Sequence, residues 1–177
     1  MIRIGLLSDT HNFLNPAIFK HFKDCDEVWH AGDIGTAAIT DAIAEFKPVR
    51  AVYGNIDGTD IRKLFPQHLM FMCEQMKVWI THIGGYPNRY DQRVKDLIYK
   101  NPPDLFICGH SHILKVIYDK KLNLLHINPG AAGKYGSQKV STLIRFTIDK
   151  KEVKDLQIIE MREERQIGKR IDPDEMY

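Results

Sequence analysis

Seven side chains in this sequence have the types and the order needed to hold metal ions: Asp9, His11, Asp33, Asn55, His82, His110 and His112. They comprise two carboxylates, one amide and four imidazoles, with no thiolate. Such nitrogen and oxygen donors suit Mn, Fe, Co, Ni or Zn rather than calcium or copper(I). Seven donors exceed what one four-coordinate zinc site uses. Shared between two divalent ions by a bridging carboxylate, they suit a pair about 3.5–4 Å apart.

The local spacing supports convergence. Asp9 with His11 and His110 with His112 are i,i+2 pairs. In extended backbone alternate side chains share a side, so each pair is expected to aim both members into one cleft. Gly32, Gly54 and Gly109 each precede a candidate donor by one residue, where a missing Cβ permits a sharp turn. Taken singly these signals are weak. A lone Asp-x-His is common by chance, and Asn55 alone reads as a turn residue. Other histidines sit apart: His21 on a helix, His68 in a turn after Phe65-Pro66, and His126 inside a strand. His30, three residues before Asp33, is read as a structural residue in preference to one that supports the metal ligands from behind.

The conjunction gains its weight from the elements that must carry these residues. Apolar runs predict strands at Ile2–Ser8, Glu27–His30, Val49–Tyr53, Met76–Thr81 and Leu105–Cys108. Helical periodicity falls at Pro16–Lys23, Ala37–Phe46 and Asp91–Tyr99. Four further strands follow with short turns: Ile113–Tyr118, Leu122–Ile127, Ser141–Ile148 and Val153–Glu160, with hairpins expected at Asp119-Lys120-Lys121 and Asp149-Lys150-Lys151-Glu152. Each of the first five strands ends one to a few residues before a candidate donor. Sites of open α/β sheets form beyond the carboxyl ends of the strands. A helix-alternating first half and a strand-rich second half predict an α/β fold with two packed sheets and helices outside. Two ions bring about +4, and two carboxylates and a bridging hydroxide leave roughly +1 before substrate binds. Such a centre attracts a phosphate ester anion and lowers the pKa of its bridging water.

The 177 residues suffice for one sizeable domain. We place it at residues 1–160, followed by a charged tail at 161–177 that is expected to be dispensable for chemistry. Net charge is +2, without a clustered basic stripe, which argues against nucleic acid as a partner. Three scattered cysteines form no CxxC pair, so a cytoplasmic home is expected. No apolar stretch approaches the roughly 20 residues of a membrane helix, so no membrane partner is expected.

The ordered blocks Asp9-Thr10-His11, Gly32-Asp33, Gly54-Asn55, Thr81-His82 and Gly109-His110-Ser111-His112 resemble the calcineurin-like metallophosphoesterase family. Small size, His30-Ala31-Gly32-Asp33 and Asn128-Pro129-Gly130 are most similar to its short bacterial and archaeal phosphodiesterase branch. That branch also resembles the retromer subunit that uses this fold as a protein-binding scaffold. The resemblance implies a four-layer α/β/β/α sandwich of two mixed sheets. It implies that Asp9, His11, Asp33 and His112 hold one ion, and that Asp33, Asn55, His82 and His110 hold the other, with manganese often preferred. Asp33, Asn55 and His82 are taken as catalytic as well. Three blocks depart from the family: Ile56 replaces a His that assists catalysis, His82-Ile83-Gly84 replaces H-G-H, and Asn128-Pro129-Gly130-Ala131, with Lys134 and Tyr135 nearby, replaces N-P-G-S and its Arg.

These readings predict a phosphodiesterase that cleaves a small phosphodiester substrate by a metal-bridging hydroxide. The alternatives are a non-catalytic interaction scaffold on the same fold, or a nuclease of the same superfamily. A homo-oligomer is compatible with each of them.

Overall fold

The computed structural model describes residues 1–136 and 140–161. Of the proposed tail at 161–177, Met161 is the buried last residue of a strand, and residues from 162 onward lie outside the described residues. The elements are β1 (Ile2–Leu7), α1 (Ala17–His21), β2 (Glu27–His30), α2 (Ala37–Phe46), β3 (Val49–Ala51), α3 (Thr59–Leu64), β4 (His68–Cys73) and β5 (Met76–Thr81). There follow β6 (Gly85–Tyr86), β7 (Arg89–Tyr90), α4 (Gln92–Lys100), β8 (Leu105–Ile107), β9 (Lys115–Asp119), β10 (Leu124–Asn128), β11 (Ser141–Asp149) and β12 (Glu152–Met161).

Two five-stranded sheets form, in the orders β12-β11-β1-β2-β3 and β4-β5-β8-β10-β9. In the first, β1, β2 and β3 run parallel and β11 and β12 add antiparallel. In the second, β5, β8 and β10 run parallel between antiparallel edges β4 and β9. The alternation of each strand builds the layers. Ile4, Leu6, Trp29, Ile144 and Phe146 of one sheet meet Val78, Ile80, Leu105, Ile107 and Ile127 of the other in a shared core. Leu7, Val28 and Leu143 point the opposite way, against Ile18, Phe22, Ile39, Ile43 and Ile61 of the α1–α3 side. Trp79, Phe106 and Leu124 face α4 through Val94 and Ile98. The result is the four-layer α/β/β/α sandwich expected from the sequence. Among the described residues no helix is long and apolar enough to cross a membrane.

Four elements differ from the reading above: β4, α3 and the two-residue strands β6 and β7, which pair as a small separate hairpin too short to show a pattern. His68, expected in a turn, opens β4, which pairs antiparallel with β5 through a tight turn at Glu74 and Gln75. The run His68-Leu69-Met70-Phe71-Met72-Cys73 has no β-branched residue, so its propensity is weak. Its alternation is real: Leu69 and Phe71 pack on the core, while Met70 and Met72 are exposed. Helix α3 was not anticipated because six residues show less than two helical turns of pattern. Both expected hairpins form. Asp119 organises one by accepting Lys121 N–H (2.9 Å) and Leu122 N–H (3.3 Å) on Oδ1.

Candidate metal centre

The parallel strands β1, β2, β3, β5 and β8 bring their carboxyl ends to one edge of the sandwich. Asp9 and His11 lie in the loop after β1, Asp33 after β2 and Asn55 after β3. His82 follows β5 directly, and His110 and His112 follow β8. Asp9, Asp33 and His82 are buried, His11 and His112 are half-buried, and Asn55 and His110 are exposed. A floor of buried acids under a rim of reachable imidazoles suits ions that must still meet a substrate.

Two groups form within this edge, with donor atoms within 4.8 Å of one another: Asp9, His11 and His112 in one, Asp33, His82 and His110 in the other. In the first, His112 Nε2 lies 3.2 Å from Asp9 Oδ1 and 3.4 Å from His11 Nε2. In the second, His82 Nε2 lies 3.2 Å from Asp33 Oδ1 and 3.1 Å from Asn55 Oδ1. Asp33 spans both: its Oδ2 is 3.6 Å from His11 Nε2 while its Oδ1 faces His82.

Two observations test whether these residues fit metal ions. Asp9 Oδ1 is buried and accepts no hydrogen bond among the described residues, although it faces three imidazole nitrogens. An orphaned buried carboxylate oxygen is costly unless a cation meets it. His82 supplies the second. Its Nδ1 lies 2.8 Å from Ala31 O, which can only accept, so the ring proton belongs on Nδ1. In the neutral ring Nε2 is then a bare lone pair facing two oxygen acceptors, an arrangement that calls for a positive charge between them. Without a metal a proton fills this role. Burial works against the charged form of His82, yet the Asp33 contact and the charge of Asp9 hold its pKa above the ordinary value. Burial likewise works against ionised Asp33, but His82, the Ile56 N–H and His11 hold its carboxyl below the usual range. His110 is pushed down by burial and by the neighbouring His82. A histidine that anchors one nitrogen on a backbone carbonyl and offers the other is the usual form of a metal-ligating imidazole. The site fits the metal pair that the sequence suggests.

Convergence is achieved differently from the extended-pair expectation. Asp9 (φ 55°), His11 (φ 46°), Asp33 (φ 55°), His110 (φ 67°) and His112 (φ 58°) all adopt left-handed backbone. Such positions cost of order 1–3 kcal/mol each and cluster at functional sites. His110 and His112 also divide between the two groups. Kinked backbone, rather than strand alternation, aims these side chains.

The surrounding residues hold the donor loops. Asp57, which as a loop acid after Ile56 would be expected in solvent, is buried and takes three backbone N–H groups: Ile34 (3.1 Å) and Gly54 (2.7 Å) on Oδ2, and Gly35 (2.7 Å) on Oδ1. It clasps the Asp33 loop to the Asn55 loop. His30 is structural, as read from the sequence. Gly32 N–H donates to its Nδ1 (3.2 Å), which leaves the proton on Nε2, 3.0 Å from Thr10 Oγ1. Thr10 in turn donates to Ile34 O (2.9 Å). Complete burial keeps this imidazole neutral, with its pKa lowered to about 4. Asn128, at the end of β10, donates Nδ2 to Gly109 O (2.8 Å) and Ser111 Oγ (3.1 Å) and so fixes the His110–His112 loop. In the sequence Asn128 stands out only as part of the Asn128-Pro129-Gly130 block. Its place after a strand and before Pro129-Gly130 is the signal that could have marked it as a loop anchor.

With this geometry in place, the comparisons are specific. The family profile of the calcineurin-like phosphoesterase superfamily domain matches residues 2–151. A "Probable metallophosphoesterase" of Methanothermobacter thermautotrophicus is 30% identical over 138 residues, covering 72% of this chain and 76% of that protein. An archaeal phosphodiesterase of known structure superposes with TM-score 0.70 at 22% identity, covering 90% of this chain and all 100% of the other. Vps29 of Entamoeba histolytica, solved with Zn2+, superposes with TM-score 0.67 at 15% identity, covering 90% of this chain and 98% of that one. The last two likenesses establish the fold alone. The profile match, spanning most of the sequence, shows that the chain belongs to the calcineurin-like phosphoesterase superfamily.

Proposed function

We propose that this chain is a metal-dependent phosphodiesterase with a binuclear centre, and that manganese is its working metal. One observation carries the reading: the two oxygens of Asp33 face different donor groups, as a carboxylate shared between two ions would. Asp9, His11 and His112 would hold one ion; Asn55, His82 and His110 would hold the other. When bound, such a pair polarises phosphoryl oxygens and makes water a nucleophile at neutral pH.

The chain's own residues set the terms of that chemistry. Burial of Asp9 and Asp33 removes competing solvent from the floor of the site. Asn55 and His110, at the exposed rim, stand where a substrate would meet the centre. Ile56 is 45% exposed beside Asn55 and has no proton to give. Asp57 and His30, two substitutes that the sequence offers, are both committed to backbone or buried hydroxyl partners. A departing alkoxide would therefore leave without a positioned acid, which typically supplies about 10²–10⁴-fold. Turnover of manganese-loaded protein should depend steeply on leaving-group pKa, fast for nitrophenyl diesters and slow for alkyl diesters, and Ile56→His should flatten the slope. A flat dependence in the unaltered protein would show a proton donor elsewhere.

A protein-binding scaffold is the second reading. Ile56 and Ile113, the chain neighbours of Asn55 and His112, are exposed apolar residues at the rim. A full complement of bound metal with no hydrolysis of any phosphodiester or phosphomonoester in a panel would favour it.

A further inference from the structure

We propose that the cleft beside Asn55 and His82 is a second anion subsite built on Arg62 and Arg93, so that the preferred substrates are phosphodiesters carrying a further phosphate group. The inference deepens the proposed function and rests on it.

The cleft measures about 300 Å³ and is lined by Asn55 and His82 of the candidate centre, by Arg62, Arg93 and Gln67, and by uncharged neighbours, Tyr53 and Ile83 among them. No Asp or Glu is among its lining residues. A second cleft of about 400 Å³ on the His110 side shares Asn55, Ile83 and Arg93 with it. Arg93 therefore lines both spaces, one shared with His82 and the other with His110.

Arg62 is held in an unusual way for a surface cation. Its Nε donates to Asp57 O at 2.7 Å and its Nη2 to Asn55 O at 3.4 Å. Its guanidinium lies over the Tyr53 ring, 4.7 Å from the centroid. All three contacts orient the group, and none carries a negative charge. Among the described residues no carboxylate pairs with it, and its Nη1 edge has no hydrogen-bond partner. Orientation is thus established before any ligand arrives, which lowers the ordering cost of binding. Arg93 donates Nη1 to Asp91 Oδ1 at 2.9 Å, and its side chain is 54% exposed. One cation is fixed and uncompensated, the other is reachable and partly compensated. A planar guanidinium fork matches the oxygens of phosphate. A diester without a further phosphate spends its single negative charge at the metal centre and leaves these two guanidinium groups unmatched.

The bland reading is that Arg62 only braces the Asn55–Asp57 loop. The two readings separate by calorimetry on manganese-loaded protein, with adenosine 5′-monophosphate and adenosine 3′,5′-bisphosphate as probes at equal free metal. The bisphosphate should bind about tenfold more tightly or better, the worth of one charge-assisted contact. Arg62→Gln and Arg93→Gln should each reduce that ratio to a few-fold while leaving the monophosphate affinity unchanged, and Arg62→Lys should retain most of it. No preference in the unaltered protein would overturn the inference. So would an Arg62→Gln protein in which both probes weaken equally, because that is the signature of a brace. Failure of the hydrolytic reading looks different: the bisphosphate preference would persist in a protein that cleaves no diester.

Discussion

Asp33→Asn is expected to lose at least about 10²-fold in turnover at saturating manganese while keeping its fold. Removing a partner that merely orients a metal ligand already costs about 10–100-fold in affinity or activity. Asp33 is proposed as more than that, because its two oxygens face the two donor groups. An amide offers one good oxygen donor and no charge. The oxygen can still accept the Ile56 N–H, now at 3.1 Å, so the loop has no reason to open. A second readout separates a lost ligand from a damaged fold. In metal-free protein the Asp33 carboxylate helps to hold the His82 pKa up, so the variant's His82 should titrate lower than the parent's by NMR. Near-normal turnover in Asp33→Asn would remove the shared-carboxylate role.

Asp57→Ala should be the most destabilising change near the site. It strands the backbone N–H groups of Ile34, Gly35 and Gly54, all of which now end on one buried carboxylate. Each buried donor left unmet costs about 1–3 kcal/mol, so a loss of about 3 kcal/mol or more is expected. That is a large share of a typical net stability of about 5–15 kcal/mol. Asp57→Asn should fall between, since its amide NH2 must oppose at least one of those donors. The damage should also be local, because the freed loops carry Asp33 and Asn55. Urea unfolding of metal-free protein measures the stability change. A change within about 0.5 kcal/mol, the range of ordinary surface substitutions, would show that the clasp is dispensable.

The parts of this molecule that could be read from sequence share a physical cause. Strands such as Glu27–His30 and Met76–Thr81 and helix α2 were placed to the residue because burial imposes a clear apolar pattern on them. The seven candidate donors were legible because strand ends deliver them in order, and the structure brings all seven to one edge. What escaped is governed by hydrogen bonding rather than by pattern. Asp57 looks like any loop acid until its three N–H partners are seen. The left-handed backbone at Asp9, Asp33 and His110 is one that Asp and His tolerate better than most residues, but spacing alone does not reveal it. Strand β4, rich in Met and Leu, was hidden because its propensity is weak and its register comes from pairing with β5.

Gly54 shows how tightly the centre is drawn together. A Cβ there would lie 2.0 Å from Asp33 Oδ1 and 2.4 Å from the Asp33 backbone nitrogen. The loop before Asn55 therefore packs directly against the carboxylate proposed to join the two ions, and only glycine allows it. Sequence spacing flagged this glycine for close approach; the structure identifies what it approaches.

The central claim is that two ions share this edge of the sandwich, and metal counting tests it most directly. Chelated protein should be dialysed against manganese, freed of excess metal and assayed by elemental analysis. About two ions per chain are expected. Replacing His82 and His110, both in the Asp33 group, should bring the count toward one. A firm ceiling of one ion in the unaltered protein, or a count indifferent to those two replacements, would contradict the binuclear centre.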